Sequence, residues 1–172
     1  MPRHSTCLAA DEETLLVGTI GGYFEVRGDE RKDVFPKELA GLVVTALLRD
    51  GERTWVGTQG RGLAEVSVDG EVVWHDERRG LRDDWITCLG RDTRGRIVAG
   101  TFVGGASVLD GQWHDVVGTE GNCVTGISGA WIATRQGVFL DGRRASDEET
   151  TALVVRGDEV WIGTRQGPKR VR

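Results

Sequence analysis

The sequence predicts an all-β fold made from one small sheet written five times, and three observations carry that expectation. The first is a recurring element, Leu16-Val17-Gly18-Thr19, Trp55-Val56-Gly57-Thr58, Val98-Ala99-Gly100-Thr101, Trp131-Ile132-Ala133-Thr134 and Trp161-Ile162-Gly163-Thr164. The second is a further glycine shortly after each threonine: Gly22, Gly62, Gly105, Gly137 and Gly167. The third is composition: glycine supplies 26 of 172 residues and proline only 3. Abundant glycine with short aliphatic runs describes many short strands joined by tight turns.

Each repeat opens on a strand, here position A, reading threonine, a small residue, then Leu or Ile: Thr6-Cys7-Leu8, Thr45-Ala46-Leu47, Thr87-Cys88-Leu89, Thr125-Gly126-Ile127 and Thr151-Ala152-Leu153. Side chains alternate faces along a strand, so the threonine and the aliphatic residue share one face and the small residue lies on the other. Five small residues at one position predict close packing there. Polar turns such as Asp50-Gly51-Glu52 and Asp92-Thr93-Arg94-Gly95 follow, and the Gly-Thr element is strand B. Its glycine is Ala133 in the fourth copy, so the position calls for small size rather than for a positive φ.

Strand C follows the second glycine: Tyr23–Val26, Leu63–Val66, Ala106–Leu109, Val138–Leu140 and Pro168–Val171. Hairpin signals Asp69-Gly70, Asp110-Gly111 and Asp141-Gly142 lead into strand D. Strand D is Asp33–Phe35, Val72–His75, Gln112–His114 and, as the weakest case, Arg143–Ser146. The fifth repeat has none. Small twisted sheets with two apolar faces bury them by standing face to face around an axis, which is a β-propeller. The expectation is therefore a single β-propeller domain over 1–172, with five short blades of three to four antiparallel strands at about 5–40, 41–79, 80–119, 120–147 and 148–172. Trp55, Trp131 and Trp161 read as core, since burying one tryptophan contributes at most about 4–6 kcal/mol. The five blades are expected to close on themselves, leaving a three-stranded last blade whose open edge invites self-association.

Composition narrows function. The formal charge is −5 with acidic and basic residues interspersed, which argues against nucleic-acid binding. No apolar run reaches membrane-spanning length and no signal-peptide pattern follows Met1, so no membrane insertion and a cytoplasmic location are expected, or a periplasmic one for a fragment. Cys7, Cys88 and Cys123 form no metal-ligand spacing and read as small buried hydrophobes. No nucleophile-elbow, phosphate-loop or zinc-protease motif occurs, so neither a cofactor nor a catalytic set is assigned. His75 and His114 both fall on strand D and read as polar rim residues.

The stretch Gly80-Leu81-Arg82-Asp83-Asp84-Trp85-Ile86-Thr87-Cys88-Leu89, with Asp92, Gly95, Gly100 and Thr101 behind it, resembles the two-component regulator propeller repeat; Trp55–Thr58 and Trp161–Thr164 match it well. That family pattern runs G-L-x-x-x-x-V/I, an Asp-Gly turn, then L-W-I-G-T-x-x-G-G-L. The resemblance implies seven-bladed rings in the sensing regions of bacterial membrane receptors, often for carbohydrates, with similar rings in streptogramin lyases. This chain departs in its five repeats and in having no kinase segment.

Topology nominates a site. In an up-and-down sheet the B–C and D–A turns share one end, around one mouth of the channel. That rim carries Ile20, Gln59, Arg61, Phe102, Arg135, Gln136, Arg165 and Gln166 on B–C turns and Trp85 on a D–A turn. Arginines and amides suit a carboxylate, phosphate or sulfate through forked hydrogen bonds, and Trp85 offers a face to a sugar. Ordinary solvated loop residues, with Asp83 and Asp84 neutralising Arg135 or Arg61, are the bland reading. The expected function is a non-enzymatic module binding a small anionic molecule, a carbohydrate or another protein. The alternatives are a lyase-like enzyme and a structural module that pairs through its last blade.

Overall fold

The computed structural model describes residues 4–11 and 13–171. Its first blade is β1 (Cys7–Ala10), β2 (Leu15–Thr19), β3 (Gly22–Arg27) and β4 (Glu30–Val34). The second is β5 (Val44–Asp50), β6 (Arg53–Thr58), β7 (Leu63–Val66) and β8 (Val72–His75). The third is β9 (Ile86–Arg91), β10 (Ile97–Thr101), β11 (Ala106–Asp110) and β12 (Gln112–Asp115). The fourth is β13 (Val124–Ser128), β14 (Trp131–Thr134), β15 (Gly137–Leu140) and β16 (Arg143–Ser146). The fifth has three strands, β17 (Ala152–Arg156), β18 (Glu159–Thr164) and β19 (Gly167–Val171). Every sheet is antiparallel with its strands in sequence order, giving five β-propeller blades. Two short 3-10 turns, Lys37–Leu39 and Glu77–Arg79, lie between blades, and no helix among the described residues is long and apolar enough to cross a membrane.

The repeat motif is explained by one clamp used five times. The threonine ending strand B donates its hydroxyl to the carbonyl of the glycine at or just before the start of strand C: Thr19 to Gly22 at 3.0 Å, Thr58 to Gly62 at 2.7 Å, Thr101 to Gly105 at 2.8 Å, Thr134 to Gly137 at 3.0 Å and Thr164 to Gly167 at 2.7 Å. The glycine leaves room for strand D. At Gly62, where φ is +78, a β-carbon would lie 2.3 Å from the His75 carbonyl. At Gly167 nothing lies within 4 Å, because no fourth strand passes there.

The strand B glycines act differently. A β-carbon on Gly57 would fall 2.6 Å from Ile86 of the next blade, and one on Gly100 would fall 2.7 Å from Val124. Neither glycine has a positive φ, so small size is what the position requires. In the fourth blade Asp141 and Gly142 both take positive φ, 48° and 74°, as a tight hairpin turn of this residue pair demands.

Packing between blades runs through strands A and B. Strand β5 lies against β1 and β2, β9 against β5 and β6, β13 against β9 and β10, and β17 against β13 and β14. No comparable packing joins the fifth blade to the first among the described residues. The expected closure of five blades on themselves is therefore corrected: the blades stand in an open arc. The expectation for the tryptophans is corrected with it. Trp55 is 3 % exposed, as expected of core, and covered by the third blade; Trp131 is half-buried, and Trp161 is 40 % exposed because no blade among the described residues covers it.

Candidate functional site

The B–C and D–A turns do meet at one end of the blades, tied by backbone hydrogen bonds. Gln59 N–H donates to Val43, Gly60 and Gly62 to Asp84, Phe102 to Trp85, and Arg135 to Cys123. Each bond joins a B–C turn to a D–A linker at the entry or exit of its blade, so the turns form a continuous collar. That bonding follows from the strand order, since a turn leaving strand B and a linker entering strand A have nothing else to satisfy their backbone groups.

Within the collar the structure brings together Gln59, Trp85 and Phe102. Gln59 and Trp85 form an antiparallel bridge across the second and third blades. The Trp85 and Phe102 rings stack at 4.3 Å with an interplanar angle of 16°. Asp83 holds this pair: one carboxylate oxygen accepts the Trp85 N–H and the other the Val103 N–H, each at 2.9 Å. Asp84 accepts the Glu77 N–H at 2.9 Å. These carboxylates fix loop backbone, a role that sequence reasoning did not assign them.

Arg135 is exposed on its turn. Cys123 lies within electrostatic reach of both Arg135 and Asp83, and Arg135 stands on the B–C turn next along the collar from that of Phe102. Burial raises the Cys123 thiol, Arg135 lowers it and Asp83 raises it further, so it stays protonated at neutral pH. Burial also pushes Cys7 up to about 11 and Cys88 up to about 12. All three are free thiols, half-buried, in keeping with packing residues.

The remaining rim residues are placed otherwise. The Arg61 guanidinium lies over the Trp74 ring at 4.7 Å, out along strand D. Gln136 donates its N–H to Thr134 Oγ1 at 3.1 Å, and its carbonyl accepts from Arg144. Arg165 pairs with Glu149 at 3.3 Å, and Gln166 donates its N–H to Thr164 Oγ1 at 3.1 Å. The collar thus presents an aromatic pair with Arg135 on the next turn; the Arg61 and Arg165 guanidinium groups are engaged elsewhere, and Gln136 and Gln166 lie farther along the arc. Two clefts lie at the opposite end of the blades, one of about 360 Å³ between the third and fourth blades and lined by Asp92, Arg94, Arg96 and Gly129, the other of about 320 Å³ between the first and second.

His75 differs from the rim residue expected. Its Nδ1 accepts the Trp113 Nε1–H at 3.1 Å across the boundary between the second and third blades, and its Nε2 faces Glu65 at 3.4 Å. The Trp55 ring lies 5.2 Å from it. This is a blade-to-blade fastening. The signal for it was the strand D position of both His75 and Trp113, on neighbouring sheets.

No protein-family model matches the chain, and no curated protein matches it by sequence. Solved structures do. The extracellular domain of the putative one component system BT4673 from B. thetaiotaomicron superposes with a TM-score of 0.80 at 17% identity, over 98% of this chain and 26% of that one. BamB from Moraxella catarrhalis gives 0.62 at 14% identity, over 94% and 56%. YCF48 bound to D1 peptide gives 0.64 at 12% identity, over 95% and 62%. The chain spans about a quarter to a third of the BT4673 domains it matches, 26% and 32%. At these identities the likeness is one of fold: this chain is a five-bladed β-propeller arc resembling the extracellular propeller of a two-component sensor.

Proposed function

We propose that the chain is a non-enzymatic binding module that holds an anionic carbohydrate or similar small anion on its collar. The observation that supports this most is the stacked Trp85–Phe102 pair, braced by Asp83, with Arg135 exposed on the next B–C turn. An aromatic face and an adjacent guanidinium are what an acidic sugar needs, one to stack on the ring and one to fork onto the carboxylate or sulfate. Rigid blades carrying function on their loops fit the same reading. The likeness to a sensor's extracellular propeller is consistent with it at the level of fold.

The test is a binding panel of oligogalacturonate, a heparin-derived oligosaccharide, a neutral oligosaccharide and inorganic phosphate, measured by calorimetry. An acidic sugar is expected to bind, and Arg135→Ala and Trp85→Ala are each expected to weaken it at least about tenfold, the loss of one good contact. Arg61→Ala is expected to leave it unchanged. No binding by any member, or binding that Arg135→Ala and Trp85→Ala leave intact, overturns the proposal.

A second reading is docking of a peptide or protein on the same collar. It is favoured by the solved neighbours that carry such partners, YCF48 bound to D1 peptide and BBS1N in complex with ARL6DN. A lyase-like reading draws less support, since the His75 ring is committed to Trp113 and Glu65.

A further inference from the structure

The blade-to-blade interface is made four times in this molecule, and the arc ends in its two separate halves. At the first three made interfaces the earlier blade offers a strand B glycine and the later blade lays an aliphatic side chain from the start of strand A over it, while at the fourth Ala133 replaces the glycine and Thr150 stands at the aliphatic position. A β-carbon on Gly18 would meet Val44 at 3.0 Å and Leu47 at 3.4 Å, and one on Gly57 would meet Ile86 at 2.6 Å. The strand A threonine adds a hydrogen bond across the boundary. Thr45 Oγ1 donates to the Ile86 carbonyl at 2.6 Å, Thr87 Oγ1 to that of Val124 at 2.7 Å, and Thr125 meets the Thr150 hydroxyl at 2.8 Å.

The fifth blade carries the earlier-blade half of this arrangement uncovered. The atoms nearest an added β-carbon on Gly163 belong to Thr151 and Ala152 of its own blade, the closest at 2.9 Å, rather than to a following blade. Val154, at 60 % exposure, is registered beside Trp161, at 40 %, on the same outward face. The first blade carries the later-blade half. Leu8 occupies the position of Leu47, yet Leu8 is 67 % exposed where Leu47 is 5 %. Leu15 and Ala10, registered beside one another, are exposed with it.

The edge of the fifth sheet is a poor docking element by comparison. Pro168 sits at the strand C position where Ala106 of the third blade donates its N–H to Thr119 Oγ1, in the chain beyond β12, at 3.0 Å. Proline supplies no N–H there, and Lys169 and Arg170 add charge, a combination that discourages strand addition.

We propose that a second copy of this chain docks head to tail, its first blade on the outer face of the fifth, repeating the interface already present four times. Leu8 of the incoming copy then covers Trp161 and Val154, Ser5 lies over Gly163, and Thr151 finds the carbonyl that its equivalents in the inner blades already use. The contact is heterologous, closing into a ring where its rotation permits and extending otherwise.

The experiment is sedimentation of the full chain over a wide concentration range, with Leu8→Arg and Trp161→Arg alone and mixed. The wild type is expected to associate with concentration, and each variant alone to associate at least about tenfold more weakly. Their equimolar mixture is expected to form a one-to-one pair, since one variant keeps an intact fifth face and the other an intact first face. Both substitutions fall on exposed positions, and circular dichroism of each variant checks the fold; Val154→Arg and Ala10→Arg repeat the design at neighbouring exposed sites. A wild type that stays monomeric throughout, a mixture that does not pair, or a Leu8→Arg variant that still pairs like the wild type through two like faces each overturns the proposal.

Discussion

Trp55 and Trp161 occupy the same place in the second and fifth blades, yet one is buried and the other exposed. Both lie on strand B, both precede an aliphatic-Gly-Thr run, and both stand on the face turned away from the preceding blade. Trp55 lies against Trp113 with ring centroids 6.5 Å apart and is 3 % exposed. No blade among the described residues covers Trp161, which is 40 % exposed. The difference teaches that a single blade does not bury its own tryptophan. Burial belongs to the boundary, so stability in this arc is a sum of neighbour terms rather than a property of any one sheet.

The widest gap is expected at the tryptophans themselves. Trp55→Ala should cost about 3–5 kcal/mol in denaturant unfolding, the usual range for a buried tryptophan, while Trp161→Ala should cost less than about 1.5 kcal/mol. Equal losses would break the comparison. The glycines sharpen it next. Gly100→Ala places a β-carbon 2.7 Å from Val124 and should cost about 1–3 kcal/mol by overpacking. Gly163→Ala meets chiefly the movable Thr151 hydroxyl at 2.9 Å and should change stability by under about 1 kcal/mol on the same measurement.

Threonines that cross a boundary give a smaller effect. Thr87→Val strands the Val124 carbonyl that accepts its hydroxyl at 2.7 Å, a loss of about 1–2 kcal/mol. Thr151→Val, on the open face, should fall within about 0.5 kcal/mol of wild type by thermal or chemical unfolding.

The smallest effect is electrostatic. Asp50 of the second blade accepts a hydrogen bond at 2.7 Å from Arg91 of the third, and that bond holds its carboxyl below the usual value. A carboxyl depressed in the folded state contributes stability that is present above its unfolded pKa, about 4, and is lost as pH falls through the folded value. Asp50→Asn should therefore flatten the acid limb of the stability curve below about pH 4 and lower stability slightly at neutral pH, as read from denaturant midpoints across pH.

Much of the fold was legible because the physics that builds it repeats. The Gly-Thr element marks strand B five times since every B–C turn needs the same hydroxyl-to-carbonyl clamp, as at Thr58 and Gly62. Ala133 in place of glycine already said that small size, not backbone freedom, governs that position. Closure was not legible, because Leu8 and Leu47 are alike as letters and differ only in what stands in front of them. The site was legible in part. Strand order alone placed Gln59, Trp85 and Phe102 at one end, and the structure stacks the two rings. It did not show that Arg61 turns outward onto Trp74, or that Asp83 braces two backbone amides. Side-chain direction depends on neighbours a blade's worth of sequence away, as with His75 on β8, whose partner Trp113 lies 38 residues on.

The most direct test of the central claim, that burial resides at the boundaries between blades, is native-state hydrogen exchange on the full chain at a concentration where it is monomeric. Amides of β6 and β10, flanked by blades on both sides, are expected to exchange only through global unfolding, while those of β18 exchange through a smaller opening at least about tenfold faster. Uniform protection of all five blades would contradict the account.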